Sequence, residues 1–409
     1  MANMLDYVLW RGDIDLDYSP WNVIDTLVVA TLSYIALEPA ASGEGAGLPE
    51  IAEQLYAPLG GDRLLSPGAP DEIARMNDSD RFIASFRRLL FLAAVSRRYR
   101  DIRLHDYVDI LDKKQNLQFS AVTATLPNGV QLVAFRGTDD TMVGWREDFN
   151  MSFGTVEAQL RARDYLSRIA EGCRGGIITA GHSKGGNLAV YASSTVPPSV
   201  RGRLIGVYSF DGPGLDAQTA ALEGYQVLRP SLHSYVPQRS VVGMLLCYHG
   251  GYKVVRSTER GMMQHNPFSW QVMVTGFVEC EEIDDSSVII SDVLHQWLRE
   301  MPVENRRLFV TTLFDLLEEN DVTGMSQLLD NVGGTAERLL RKTMKLGKDE
   351  KKLFLSMLSR FFSLFTDEIK EALQKRGQQS TSRYLMLLHK YYTSRAENEW
   401  KLTSGEQKE

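Results

Sequence analysis

From the N-terminus the spacing of apolar residues is helical, then strand-like in alternation with helices, then helical again. In residues 21–37, Val23, Leu27, Val28, Leu32 and Ile35 recur on one face, which predicts an amphipathic helix. Residues 38–48 and 59–70 are rich in Gly or Pro and small residues and predict loops, with a short helix over 49–56 between them. Asp78-Ser79-Asp80 can cap a helix running to Val95, with Phe82, Phe86, Leu89, Leu90 and Leu92 apolar. This first stretch is expected to be helical and to pack beside a sheet.

Residues 119–126 alternate as a strand, Pro127-Asn128-Gly129 is a hairpin turn, and 130–135 return as a strand buried on both faces. A helix over 156–173, a short apolar strand over 177–180, a helix over 187–194 and a buried strand over 204–210 follow, with further strand candidates at 231–236 and 252–257. Strands alternating with helices predict an α/β fold with a mainly parallel sheet, whose ligands bind at the carboxyl ends of the strands. From 291 onward only helical patterns remain, at 292–301, 304–319, 323–329, 336–346, 348–374 and 382–396. The expected division is therefore an α/β domain over 1–290, a C-terminal all-helical domain over 291–402 and a disordered tail over 403–409.

Composition narrows the field. The chain has 409 residues, 44% hydrophobic and 24% charged, with a net charge of -7. That balance gives a nucleic-acid partner no support. Cys173, Cys247 and Cys280 lie far apart, with neither disulfide nor metal spacing, which points to a reducing compartment. The first residues lack a basic-then-apolar leader, and the longest apolar stretch, 24–37, carries Asp25 and is too short to span a bilayer. A cytoplasmic location is expected. No phosphate loop and no His/Cys/Asp cluster stands out, so neither cofactor nor metal is expected.

The chemistry centres on Gly181-His182-Ser183-Lys184-Gly185, placed between the strand at 177–180 and the helix at 187–194. Strand, tight turn and helix around Gly-x-Ser-x-Gly lift a serine hydroxyl above the sheet edge as a nucleophile. The plainer alternative is a Gly-rich turn with a capping serine. A nucleophilic serine needs a base, itself oriented by an acid, in the chain order Ser, Asp or Glu, His. Of the downstream histidines, His295 and His389 fall in predicted helices, His233 lies inside a strand, and His249 sits at a turn before Gly250-Gly251. His265 lies in a loop after the last strand candidate, where the base belongs. Four acids lie between Ser183 and His265. Asp216 reads as a helix cap, Glu223 as helix surface and Glu259 as an ion-pair partner of Arg260; Asp211, ending a strand in Phe210-Asp211-Gly212-Pro213-Gly214, leads. Donors for a developing oxyanion fall to the Lys184 amide and to Thr138, at the end of the strand carrying Phe135-Arg136-Gly137.

These motifs carry a resemblance. Ala134-Phe135-Arg136-Gly137-Thr138, with Trp145 and Asp148, resembles the oxyanion-loop signature of class 3 lipases, and residues 181–189 resemble their nucleophile elbow. Leucine is usual there where Lys184 stands here. Phe210-Asp211-Gly212-Pro213 resembles the family's Phe-Gly-x-Pro turn. The likeness spans roughly 21–280 and is nearest to a bacterial branch of lipase-like α/β-hydrolases. That branch shares Phe-Asp-Gly-Pro-Gly, Val236-Pro237-Gln238-x-Ser240-x-Val242-Gly243 and Gln264-His265-x-Pro267-x-Ser269-Trp270. Class 3 lipases carry their acid shortly before a Val-Pro pair, where Ser234 and Tyr235 stand here; the acid is either moved to Asp211 or missing.

Two functions are expected on this basis. One is a serine hydrolase of the α/β-hydrolase fold, cleaving carboxylic esters of small molecules or lipids through Ser183, His265 and Asp211, with Thr138 and Lys184 as oxyanion donors. Residues 241–246 and 261–263 would line its acyl pocket, or else be plain core. The other is a catalytically weak hydrolase-fold protein that binds a protein partner through its helical C-terminal domain.

Overall fold

In the computed structural model the described residues are 2–318, apart from 140, 152–153 and 247–250, together with 343, 347, 348, 351–357, 359, 360, 363 and 364. The expected helices at 323–329 and 382–396, most of those at 336–346 and 348–374, and His249 and His389 lie outside them.

The frame is a sheet of nine strands among the described residues: β1 (Ala46–Gly47), β2 (Arg103–Asp112), β3 (Leu117–Thr125), β4 (Gln131–Phe135), β5 (Ile177–His182), β6 (Leu204–Phe210), β7 (Leu232–Pro237), β8 (Lys253–Val255) and β9 (Glu279–Cys280). Spatial order follows chain order. The pairings from β4 through β8 are parallel, and antiparallel strands flank them on both sides. The fold is thus mixed α/β with a mostly parallel centre. β4 and β5 are buried along their whole length, because both faces of the sheet are covered. Leu132, Ala134, Ile178 and Ala180 pack with Ile24, Leu27 and Leu89 on one face. Val133, Phe135 and Ile177 pack with Leu188, Ala189 and Leu166 on the other.

Helix α1 (Val23–Leu32) starts where Asn22 and Asp25 form a capping box, and the Ser33 hydroxyl closes its last turn onto the Ala30 carbonyl at 2.6 Å. Helix α2 (Asp78–Val95) carries Phe86 and Leu89 into the same core. The loop expected over 59–70 is instead partly helical. The helix Leu48–Leu59 ends on Gly60 at φ 75°, Gly61–Leu65 follows at once, and Pro70 stands in the first turn of Ala69–Ala74. There the glycine is a left-handed cap that ends one helix just before the next begins, and the proline is a helix starter, so neither excludes helices from this stretch.

Helix α3 (Met142–Asn150) follows β4, α4 (Glu157–Gly172) follows it in turn, and α5 (Lys184–Thr195) follows β5. Among the described residues no helix is long and apolar enough to cross a membrane, and no group of three or more His, Cys, Asp or Glu could hold a metal ion.

The chain forms two compact units. One holds Met1–Asp284, with the whole sheet; the other begins at Asp285. In the second, Trp297 of the helix Asp285–Glu300 and Phe309 of the helix Val303–Glu318 are in ring contact at a centroid separation of 5.2 Å, and Phe354 stacks on Phe309 at 5.0 Å.

Candidate active site

β5 and β6 deliver two residues side by side at the carboxyl edge of the sheet. The Ser183 amide donates to the Phe210 carbonyl at 2.9 Å, and the Asp211 amide to the Tyr235 carbonyl at 2.7 Å, each continuing the parallel register by one residue. Both residues then turn sharply. Ser183 stands at φ 58°, ψ −134°, and Asp211 at φ 50°. A side chain held at positive φ stores strain, and such strain collects at functional positions.

Glycines make the turn sterically possible. A Cβ at Gly181 would come within 2.1 Å of Gly185, and one at Gly185 within 2.0 Å of the Phe135 carbonyl. The strand, the helix and the end of β4 therefore touch backbone to backbone. Ser183 occupies the cap position of α5, yet its side chain makes no cap hydrogen bond. The plain reading of a capping serine does not describe it.

Asp211 is fully buried. One oxygen accepts from the Ser240 hydroxyl at 2.5 Å and the Gly243 amide at 3.1 Å; the other lies 2.6 Å from His265 Nδ1. An ionised carboxylate only accepts, so the proton of this contact sits on Nδ1, and in a neutral imidazole Nε2 then keeps its lone pair. Nε2 and the Ser183 hydroxyl make no hydrogen bond among the described residues. His265 ends the short turn Gly261–His265, and Trp270 steadies that turn by donating its indole N–H to the Gln264 carbonyl at 2.8 Å.

The other acids go elsewhere. Asp216 caps Ala217–Ala220, Glu223 is exposed at the head of its helix, and Glu259 pairs with Arg81 at 3.5 Å where Arg260 was expected. His233 stacks on Tyr208 within the sheet.

A second histidine ties the site together. His182 is buried, with its ring centroid 4.6 Å from that of His265. Its Nε2 donates to the His265 carbonyl at 2.8 Å, so its Nδ1 accepts from the Tyr34 hydroxyl at 2.9 Å. Burial, reinforced by His265, holds its pKa well below the usual histidine range and keeps it neutral. Tyr34 also meets the loop after β4: a Cβ on Gly137 would lie 2.0 Å from the phenol oxygen and 3.0 Å from Ser183 Cβ.

In that loop the Thr138 hydroxyl donates to Asp148 at 2.5 Å, which commits the hydroxyl and leaves the amide as the donor Thr138 can offer. The side chain of Lys184 runs away from the elbow into a buried pocket with Glu147 and Gln118. Of residues 241–246, the turn Val242–Met244 braces Asp211 through Gly243.

Sequence reasoning singled out Ser183, His265, Asp211, Thr138 and Lys184. It did not single out Tyr34, or the Lys184–Glu147 pair. Nothing in the local pattern around Tyr34 marks it, since the site groups it meets, His182 and Gly137, lie more than a hundred residues away. Ser240 and Gly243 stood in a noted motif, and their contacts with Asp211 give that motif a physical content.

The Mbeg1-like family model matches residues 93–315, more than half of the 409-residue chain. The chain belongs to the Mbeg1-like family. Every member of the Ser183, Asp211 and His265 set falls inside the Mbeg1-like region, whereas Tyr34 falls outside it. Among curated proteins none matches the chain. Among solved structures, M37 lipase is 13% identical, with 54% of this chain and 67% of the lipase covered and a TM-score of 0.32. Rhizomucor miehei lipase, in its propeptide complex, is 15% identical, with 58% of this chain and 77% of the other covered and a TM-score of 0.29.

Proposed function

We propose that this Mbeg1-like protein is a serine hydrolase of carboxylic esters. The observation that carries the proposal is the pairing of His265 Nδ1 with buried Asp211 at 2.6 Å, one strand away from Ser183 on its positive-φ turn. In this scheme Ser183 Oγ attacks the acyl carbonyl while its proton passes to His265 Nε2. The amides of Lys184 and Thr138 hold the oxyanion of the tetrahedral intermediate. His265 then protonates the departing alkoxide, and water, activated by the same imidazole, releases the acid from the acyl-Ser183 ester. Asp211 stabilises the imidazolium formed on the way. Supporting the scheme, Ser240 and Gly243 fix Asp211 while His182 fixes the His265 backbone, so both partners of Ser183 are held before substrate arrives. The substrate is assigned as a small-molecule or lipid ester.

The test is active-site labelling. A fluorophosphonate probe is expected to modify the wild-type protein and to leave Ser183→Ala unlabelled. An unlabelled wild type, or label persisting in the variant, rejects the assignment.

A further inference from the structure

Behind the elbow sits a charge that the ester scheme does not use. In that scheme Lys184 contributes its amide, but its side chain is 1% exposed and points the other way. Nζ donates to the Gln118 carbonyl at 2.9 Å, to Gln118 Oε1 at 2.5 Å and to Glu147 Oε2 at 3.1 Å, which uses all three protons. Glu147, equally buried, also accepts the amides of Gln118 at 3.1 Å and Ala158 at 3.0 Å. Its neighbour Asp148 takes the Thr138 hydroxyl on Oδ2. Asp148 Oδ1 has no hydrogen-bond partner among the described residues and lies 3.8 Å from Lys184 Nζ. One ammonium thus faces two carboxylates, and only one of them is otherwise well satisfied.

We propose that Lys184 is a positioning residue for the oxyanion hole, its ammonium acting through Asp148 to fix the Thr138 loop. The proposal rests on the esterase reading and adds a residue to it. The logic is electrostatic. Burial pushes the Asp148 carboxyl up to about 6, Glu147 and Asp139 push the same way, and Lys184, joined by the Thr138 hydrogen bond, opposes them. Tyr34 also faces Asp148; its phenol is raised by burial and stays neutral. Arg136 is engaged by Asp109 at 2.8 Å and approaches Asp139 at 3.8 Å. Lys184 is therefore the cation that keeps Asp148 ionised at neutral pH. An ionised Asp148 can only accept, which dictates the direction of the Thr138 hydroxyl bond and, with it, the facing of the Thr138 amide. Once protonated, Asp148 becomes a donor as well, and that direction is no longer enforced.

The experiment compares full-length wild type, Lys184→Met, Glu147→Gln, and the two substitutions combined. The double variant removes the acid that Lys184→Met alone strands, so it separates charge balance from action on Asp148. Two quantities are read: the pH dependence of kcat on a nitrophenyl ester, and the protonation of Asp148 by infrared titration of its carboxyl stretch, assigned with Asp148→Asn. In wild type, kcat is expected to fall as pH drops through about 6, where Asp148 takes its proton. In the double variant, folding stability is expected to recover. Its acid limb and its Asp148 titration are both expected to lie about one pH unit above those of Glu147→Gln alone, since Glu147 itself raises the Asp148 carboxyl. At neutral pH its kcat falls roughly tenfold with KM changed less than about twofold. An Asp148 band that titrates in the double variant where it does in Glu147→Gln alone overturns the proposal, whatever the esterase result. A displaced band in a protein whose wild type turns over no ester overturns the esterase reading, and the oxyanion role with it.

Discussion

The Asp211 carboxylate has three partners, and each asks something different of it. Ser240 and Gly243 hold its position, and His265 takes its charge. Asp211→Asn keeps the shape but offers Nδ1 an amide in place of an acceptor of full charge, so the imidazole loses its enforced tautomer. Ester turnover is expected to drop at least roughly tenfold while probe labelling of Ser183 slows without vanishing; turnover equal to wild type would assign the orienting role to another group. At this scale the sequence was informative wherever a residue's role is set by its immediate neighbours. Ser183 was legible because Gly181 and Gly185 flank it at a spacing that only a close-packed turn needs. Asp211 and His265 were reached by chain order and by elimination among few candidates. The direction of the Lys184 side chain was not legible, because it depends on Gln118 and Glu147, which the fold brings from other elements.

Elements succeed or fail here on backbone proximity. β5, α5 and the end of β4 meet with no side chain between them, and Gly185 is the point of closest approach. Gly185→Ala would have to push its methyl against the Phe135 carbonyl, a rigid neighbour, so the turn must open. Loss of soluble folded protein, or a fall in thermal midpoint of several degrees, is expected and is read by calorimetry; a midpoint unchanged from wild type would mean that the contact yields freely. The uninterrupted apolar runs made β4, β5 and β6 readable from sequence. β2 was not readable. Its register slips between His105 and Val108, Asp106 sits at φ 55°, and its far half alternates acids with apolar residues at a half-exposed sheet margin. α3 was likewise missed, since its polar residues Glu147 and Asp148 face inward to a lysine rather than outward to water.

On the scale of the whole molecule, the question is what fastens the N-terminal segment to the Mbeg1-like region. Asp25 and Arg98, both fully buried, answer it with a bidentate pair at 2.7 Å and 2.5 Å. Tyr7 and Tyr99 add their hydroxyls to Asp25 at 3.1 Å and 2.6 Å, and Arg98 donates further to the carbonyls of Ser19 and Pro20. Removing one partner leaves the other charged and dry. Asp25→Ala is expected to cost about 3–5 kcal/mol of unfolding free energy in urea, and Arg98→Met a similar amount. Losses below about 1 kcal/mol for both would show that water reaches the pair. Sequence spacing marked the apolar face of α1 but carried no sign of this clasp, because its halves lie 73 residues apart.

The contact between Tyr34 and His182 spans 148 residues of chain. During synthesis the phenol leaves the ribosome long before the imidazole it serves, and longer still before the loop that the imidazole supports. Since chains emerge N-terminus first at about 5–20 residues per second, α1 waits several seconds with its oily side uncovered. The loop that carries His265 is thus received by a surface that was made first, and a nascent chain stalled ahead of it would leave that surface naked.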